Sequence, residues 1–161
     1  MAAEYSVVSR TDFQGRKSLF FSGFRPFLGE VTQKELNMHF YKCEICGNLL
    51  DLILDGRGRL DCCGQEMDEL PANTVDASKE KHVPEVTVSG NKVQIAIGSV
   101  LHPMVEEHHI NFICLETDKC AYRKALKIGE QPIANFTLTD GEKPVAAYEY
   151  CNLHGLWKKV L

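Results

Sequence analysis

No run of apolar residues in this chain approaches the ~20 needed to cross a bilayer, so no membrane-spanning segment is expected. The first ten residues, MAAEYSVVSR, hold no apolar h-region, and no secretory signal is expected either. Basic charge is not in excess. Eighteen lysines and arginines face 22 acidic residues, and the net charge of −4 argues against a general nucleic-acid binder. A sustained helical period is also missing, so no long helix is expected. What remains is the composition of a soluble globular protein, 44% hydrophobic and 25% charged. Its 161 residues suit one ordinary domain, or a small module joined to a medium one.

Cysteine, by contrast, is plentiful. Four of the seven cysteines lie between positions 43 and 63. An odd count arranged as C-x-x-C…C-C suits metal chemistry in a reducing compartment better than a secreted disulfide framework, which makes a cytoplasmic location the expectation. Cys43-Glu-Ile-Cys46-Gly reads as a metal knuckle, with Gly47 letting the chain turn so that backbone amides face the sulfurs. Residues 48–54 read as a strand, 55–58 as a turn and 59–60 as the start of the return, which carries Cys62-Cys63 back to the knuckle. Two ordinary zinc-ribbon knuckles would each read C-x-x-C. The vicinal pair imposes a distorted tetrahedron, which zinc does not require and iron accepts. The spacing specifies a metal without specifying which. Its plainest alternative is a structural zinc holding a module too small for its own core.

Around this module, residues 1–37 carry an apolar Leu19-Phe20-Phe21 and Phe24, but glycines and Pro26 interrupt any sustained period, and 31–37 has room for one or two helical turns. That stretch is either a partly ordered extension, with Met38 as the natural start, or a segment that docks its phenylalanines on a partner. Residues 71–78 are polar and aperiodic, a linker. Beyond them the pattern is all β. Strands are expected over 85–89, 92–97, 108–115, 121–126, 134–139, 145–150 and 156–160, with two-residue turns at Gly90-Asn91 and Asp140-Gly141. Seven short strands at this spacing predict an antiparallel sandwich.

Near the end of the chain, Cys151-Asn-Leu-His154-Gly155 places a thiol and an imidazole where one tight turn brings both to a single ion, with Gly155 freeing the backbone beyond. His82, His102 and His108 sit in loops or at element ends, and Pro84 and Pro103 stiffen two of these loops. Each histidine alone would more often be a surface or satisfied core residue. One thiolate with four imidazoles is, in any case, not the ligand set of structural zinc.

These residues also carry a resemblance. Glu80-Lys-His-Val-Pro84, His102-Pro-Met-x-x-x-His108 and Cys151-Asn-Leu-His-Gly155 resemble the three signature segments of the superoxide reductases. Preceded by Cys43-x-x-Cys46…Cys62-Cys63, the chain resembles the two-iron desulfoferrodoxins over roughly residues 38–161. The resemblance implies a mostly β protein. A small desulforedoxin- or rubredoxin-like metal ribbon (38–72) would be joined by a linker (73–79) to an immunoglobulin-like β-sandwich (80–161), usually as a homodimer, with 1–37 an extension of unknown role. It implies two iron ions per chain. One would be held by Cys43, Cys46, Cys62 and Cys63, where zinc is the alternative metal. The other would be a ferrous ion with His82, His102, His108 and His154 equatorial and Cys151 axial.

The implied activity is one-electron reduction of superoxide to hydrogen peroxide, with electrons from a rubredoxin-like donor. Five protein ligands leave one octahedral position open, and an anionic thiolate opposite it pushes electron density toward whatever binds there. Lys81 would draw in the anion and orient a proton-donating water. Glu80, by family analogy, would occupy the open position once the iron is oxidised. Without the motif, Glu80 and Lys81 are a solvated charge pair. His109 is expected to point away from the site by strand alternation. His39 is expected to be solvated, and Cys114 and Cys120 to be buried and inert in strands. Two other readings stay open: a non-catalytic iron electron-transfer protein, and a zinc-ribbon interaction module.

Overall fold

The computed structural model describes residues 7–11, 17–21, 38–74 and 79–161. The chain divides into two units, residues 1–31 and 32–161. In the first, β1 (Val7–Thr11) and β2 (Lys17–Phe21) pair antiparallel, Val7 opposite Phe21 and Thr11 opposite Lys17. The sequence reading expects no sustained strand here. Two five-residue strands are too short to display a period, whereas valine, threonine and phenylalanine favour extended backbone. Phe24, the turns expected over 31–37 and the second half of the linker (75–78) lie outside the described residues.

The second unit opens with the cysteine ribbon. Strand β3 (Phe40–Lys42) lies between β4 (Leu49–Asp51) and β7 (Asp68–Glu69), and β5 (Asp61–Cys62) pairs with β6 (Gln65–Glu66). The strand expected over 48–54 stops at Asp51. After the Leu52 amide bonds the His39 carbonyl (2.8 Å), Ile53 and Leu54 run into solvent, 90% and 68% exposed. They have no apolar surface to pack on, so the extended run ends.

A single helical turn, α1 (Lys79–His82), then leads into seven strands: β8 (Pro84–Ser89), β9 (Lys92–Ile97), β10 (Ile110–Thr117), β11 (Ala121–Ala125), β12 (Ile133–Thr137), β13 (Pro144–Cys151) and β14 (Gly155–Val160). They form two antiparallel sheets, ordered β11-β10-β13-β14 and β12-β9-β8. Between the sheets lie Val93, Ile95 and Ile97 of β9, Ile113 and Leu115 of β10, Ala134 of β12, and Ala147 and Cys151 of β13. This is the alternation the sequence displays, one face inward at every second residue.

The outer face of the four-stranded sheet is covered too, by the ribbon. Phe40, 1% exposed, packs on Phe112 (ring centroids 5.6 Å) and Tyr148 (5.8 Å) in a cluster with Cys114, Ala146 and Leu156. The ribbon thus borrows the sandwich's surface for the core it cannot build alone. Just beyond it Asn73 clasps β14. Its amide donates to Leu156 O (3.0 Å), its side chain donates to Lys158 O (2.9 Å) and accepts from Lys158 N (2.8 Å). The first half of the linker is therefore docked on the sandwich.

Candidate metal centres

In the ribbon, the chain leaves β3 at Cys43 and folds back at once. Gly47 N donates to Cys43 O and Cys43 N to Asn48 O, both 2.9 Å. This tight turn swings Cys46 under Cys43. On the other arm, Cys62 ends β5, and Cys63 adopts φ 52°, a left-handed conformation uncommon for a side-chain-bearing residue. That twist lets adjacent cysteines aim at one point. The four sulfurs lie within 4.8 Å of one another, with Cys46–Cys62 at 3.6 Å and Cys62–Cys63 at 3.9 Å. Sulfurs ~2.3 Å from a common tetrahedral ion stand about 3.8 Å apart, so the spacing fits a metal. The amide of Cys46, then that of Ile45, holds the Cys43 thiol down at about 7 against its burial. The crowding sulfurs of Cys46, Cys62 and Cys43 push Cys63 up to about 12. Four thiols this close cannot all ionise unless a cation sits among them.

The second cluster stands at one end of the sandwich, where four loops converge. His82 closes α1, His102 follows β9, His108 precedes β10, and Cys151 and His154 flank the β13–β14 turn. All five donor atoms lie within 4.8 Å of one another. His82 Nε2 is 2.9 Å from His154 Nδ1 and 3.2 Å from His102 Nε2, and His108 Nε2 is 3.2 Å from His154 Nδ1. Neighbouring rings stand nearly perpendicular with centroids 4.3–4.8 Å apart, while His82 and His108 lie across from one another at 6.0 Å. The imidazoles therefore close a square. Nitrogens ~2.1 Å from a central ion at right angles stand about 3.0 Å apart, so these separations fit a metal.

The Cys151 sulfur is 3.6 Å from His102 Nε2 and 3.5 Å from His154 Nδ1, two opposite corners. In-plane positions at that distance are taken by His82 and His108, so the sulfur stands off the square. No further His, Cys, Asp or Glu donor among the described residues joins the group.

The surroundings favour neutral imidazoles and a thiol awaiting a cation. Burial holds His102 down to about 4 and lowers His108 as well, with His154, His82 and Lys81 adding charge repulsion at His108. His102 Nδ1 donates to Pro103 O (2.6 Å), which turns the Nε2 lone pair inward. Burial raises the Cys151 thiol, opposed by the amides of Leu153 and His154.

Several supports escape sequence reading. Trp157, 1% exposed, stacks on the His82 ring at 4.9 Å and 23°. Asn152 fastens the ligand turn to the segment bearing His108: its Oδ1 accepts from His109 N (2.8 Å) and its Nδ2 donates to Glu107 O (2.9 Å). Glu149, wholly buried two residues before Cys151, has its carboxyl pushed well up by burial. Only the alternation of β13, which points Glu149 inward with Cys151, signals it.

The remaining sequence expectations divide. Glu80 and Lys81 are exposed beside buried His82. His109 is outside the cluster, but for a different reason from the one expected. It precedes β10, and its Nδ1 is held 3.1 Å from the carbonyls of Val105 and Glu106. His39 is not simply solvated, since its Nδ1 lies 2.7 Å from Glu69 Oε1. Cys114 is buried; Cys120 is exposed and precedes β11, its thiol 3.1 Å from Glu142 Oε1.

With this geometry in view, comparison with known proteins is informative. The family model for desulfoferrodoxin matches residues 74–160, and that for the desulfoferrodoxin N-terminal domain matches 36–70. The chain is 48% identical to a desulfoferrodoxin homolog of Archaeoglobus fulgidus over 121 residues, 75% of this chain and 95% of the relative. It is 48% identical to a desulfoferrodoxin of Syntrophotalea carbinolica over 120 residues, 74% and 94% of the two chains. Among solved structures, the superoxide reductase from Treponema pallidum superposes with a TM-score of 0.65 at 32% identity, covering 76% of this chain and 97% of that one.

Proposed function

This chain belongs to the desulfoferrodoxin family, and from that premise we propose that it is a superoxide reductase, converting superoxide to hydrogen peroxide with electrons from a rubredoxin-like donor. The observation that carries the reading is the closed square of four imidazoles with one sulfur off its plane. In this reading His82, His102, His108, His154 and Cys151 hold a ferrous ion, and Cys43, Cys46, Cys62 and Cys63 hold a second iron or a zinc. Iron held by these five residues would supply one electron and a place for a small anion to bind.

The chain's own residues do the rest. Burial of His82, His102 and Cys151 keeps water from the sulfur side, so the thiolate's charge is felt undiluted by solvent. Lys81 already acts on the site electrostatically, being one of the charges that lower His108. Its ammonium attracts an anionic substrate and orients a water that delivers protons; reduction needs one electron and two protons for each superoxide. Glu80, beside it in α1, would be the carboxylate that the site takes up when oxidised. Likeness to the Treponema pallidum superoxide reductase supports the same reading.

The test is metal content and visible absorption of anaerobically purified protein, before and after superoxide. Two irons per chain, with a thiolate-to-ferric band appearing as hydrogen peroxide forms, is the expected result. Zinc in both sites would overturn the reading and leave an interaction module, and iron in the ribbon alone would point to an electron carrier.

A further inference from the structure

Gly98, the first residue after β9, is buried and has φ +82°. A Cβ built there would stand 2.5 Å from Val100 O, 2.7 Å from Glu80 O and 2.8 Å from Lys81 C. All three are backbone atoms, so no flexible side chain can give way. The neighbouring hydrogen bonds show what this close approach accomplishes. Val100 N and Ser99 Oγ both donate to Glu80 O, at 3.2 and 3.3 Å, and Gly98 N donates to Val83 O at 3.2 Å. The loop 98–100 is laid flat against α1, and at its far end it carries His102, whose amide bonds Ile97 O at 3.1 Å.

We propose that Gly98 is a positioning residue: its missing side chain lets this loop seat the Glu80–Lys81 peptide at the distance from the five-ligand site that substrate steering requires. The inference rests on the superoxide reductase reading for what the positioning is for, though not for its existence. His82 is held independently, buried and stacked on Trp157. A displacement forced at position 98 therefore reaches residues 80 and 81 before His82, and the iron content of the variant reports whether His102, farther along the loop, has shifted.

The structure also supplies the control. Gly129 has the same φ of +82° but nothing within 4 Å of its Cβ position, and it is exposed. Gly129→Ala carries the left-handed strain alone, and Gly98→Ala carries strain plus collision. In the iron-loaded full chain, Gly98→Ala should keep its iron and absorption band. Hydrogen exchange at the Val100 amide, and at the Val83 amide that donates to Lys79 O (3.0 Å) in α1, should rise about tenfold or more. The second-order rate with superoxide should fall about tenfold and lose its dependence on ionic strength. Gly129→Ala should match wild type in exchange and in salt dependence.

If the two variants behave alike in both measurements, Gly98 positions nothing. If Gly98→Ala fails to fold or to hold iron, Ser99→Ala decides. It removes only the hydroxyl bond to Glu80 O and should raise exchange at Val100 and blunt the salt dependence; wild-type behaviour in both would sink the proposal. A wild-type chain inert toward superoxide would refute the functional reading, while the exchange comparison would still decide the positioning.

Discussion

The indole of Trp157 lies face to face with the imidazole of His82, 4.9 Å between centroids and 23° from parallel, and both are shut off from solvent. This is the only tryptophan in the chain. Its emission should be strongly quenched while iron is held at His82 and should rise when a chelator removes the metal. Trp157→Phe should keep a ring on His82 while thinning the packing, at a cost on the order of 1–2 kcal/mol in stability, with iron lost at lower chelator concentration. Emission indifferent to metal removal would contradict this arrangement.

Lys81 stands exposed beside the His82 ligand and is one of the charges felt at His108. Lys81→Ala should leave iron content and the visible band unchanged. It should slow the reaction with superoxide about tenfold at low ionic strength and flatten the rate's salt dependence. Stopped-flow or pulse-radiolysis rates at several salt concentrations check this; an unaltered salt profile would remove the steering role.

The Cys62 sulfur is in contact with those of Cys46 and Cys63, so Cys62→Ser should empty or weaken the ribbon site alone. The five-ligand site should keep its absorption and its activity should persist. With the proposed ribbon metal bracing that module, the melting temperature should nevertheless drop by about 5 °C or more. Calorimetry beside metal analysis separates the two effects, and a variant that loses both metals would show the sites to be coupled.

Glu142 accepts from Thr117 Oγ1 (2.6 Å), Tyr122 OH (2.9 Å) and both the amide and hydroxyl of Thr139 (2.8 Å each). These donors, that of Thr117 foremost, hold its carboxyl well below the ordinary value of 4.5. A depressed folded-state pKa stabilises the fold above the unfolded value and loses that contribution as pH falls through the folded one. The melting-temperature gap between wild type and Glu142→Gln should be widest at neutral pH and narrow steadily below about pH 4.5. A gap constant down to pH 3 would show that the charge of Glu142 does not matter.

Much of this could be read from the residues in order. The strand pattern of 84–160 follows from alternation, and the cysteine spacing marks one cluster. The four histidines fall where strands stop, but it is the resemblance of three short motifs that joins them with Cys151 into one set. What stayed hidden depends on distance across the chain. Phe40 is one aromatic before a cysteine knuckle, with no period around it to show that it packs on Phe112 and Tyr148. Gly98 looks like any turn glycine until the backbone of Glu80 and Lys81 comes to lie against it. Trp157 alternates correctly in β14, yet nothing in its neighbours names His82 as its partner. Glu142 sits in a turn, and three of the five groups that meet it come from the hairpin 117–122, 20–25 residues earlier.

The seating of Phe40 also bears on how the protein would fare once cut. A protease that severed the exposed ribbon loop near Ile53 and released the strand β3 would uncover Phe112, Tyr148 and Leu156 together, an oily notch on an otherwise complete sandwich. Such a fragment would still own all five residues of the histidine cluster, yet it would be sticky. Nicked chains should therefore be lost by clumping before they are lost by failing chemistry.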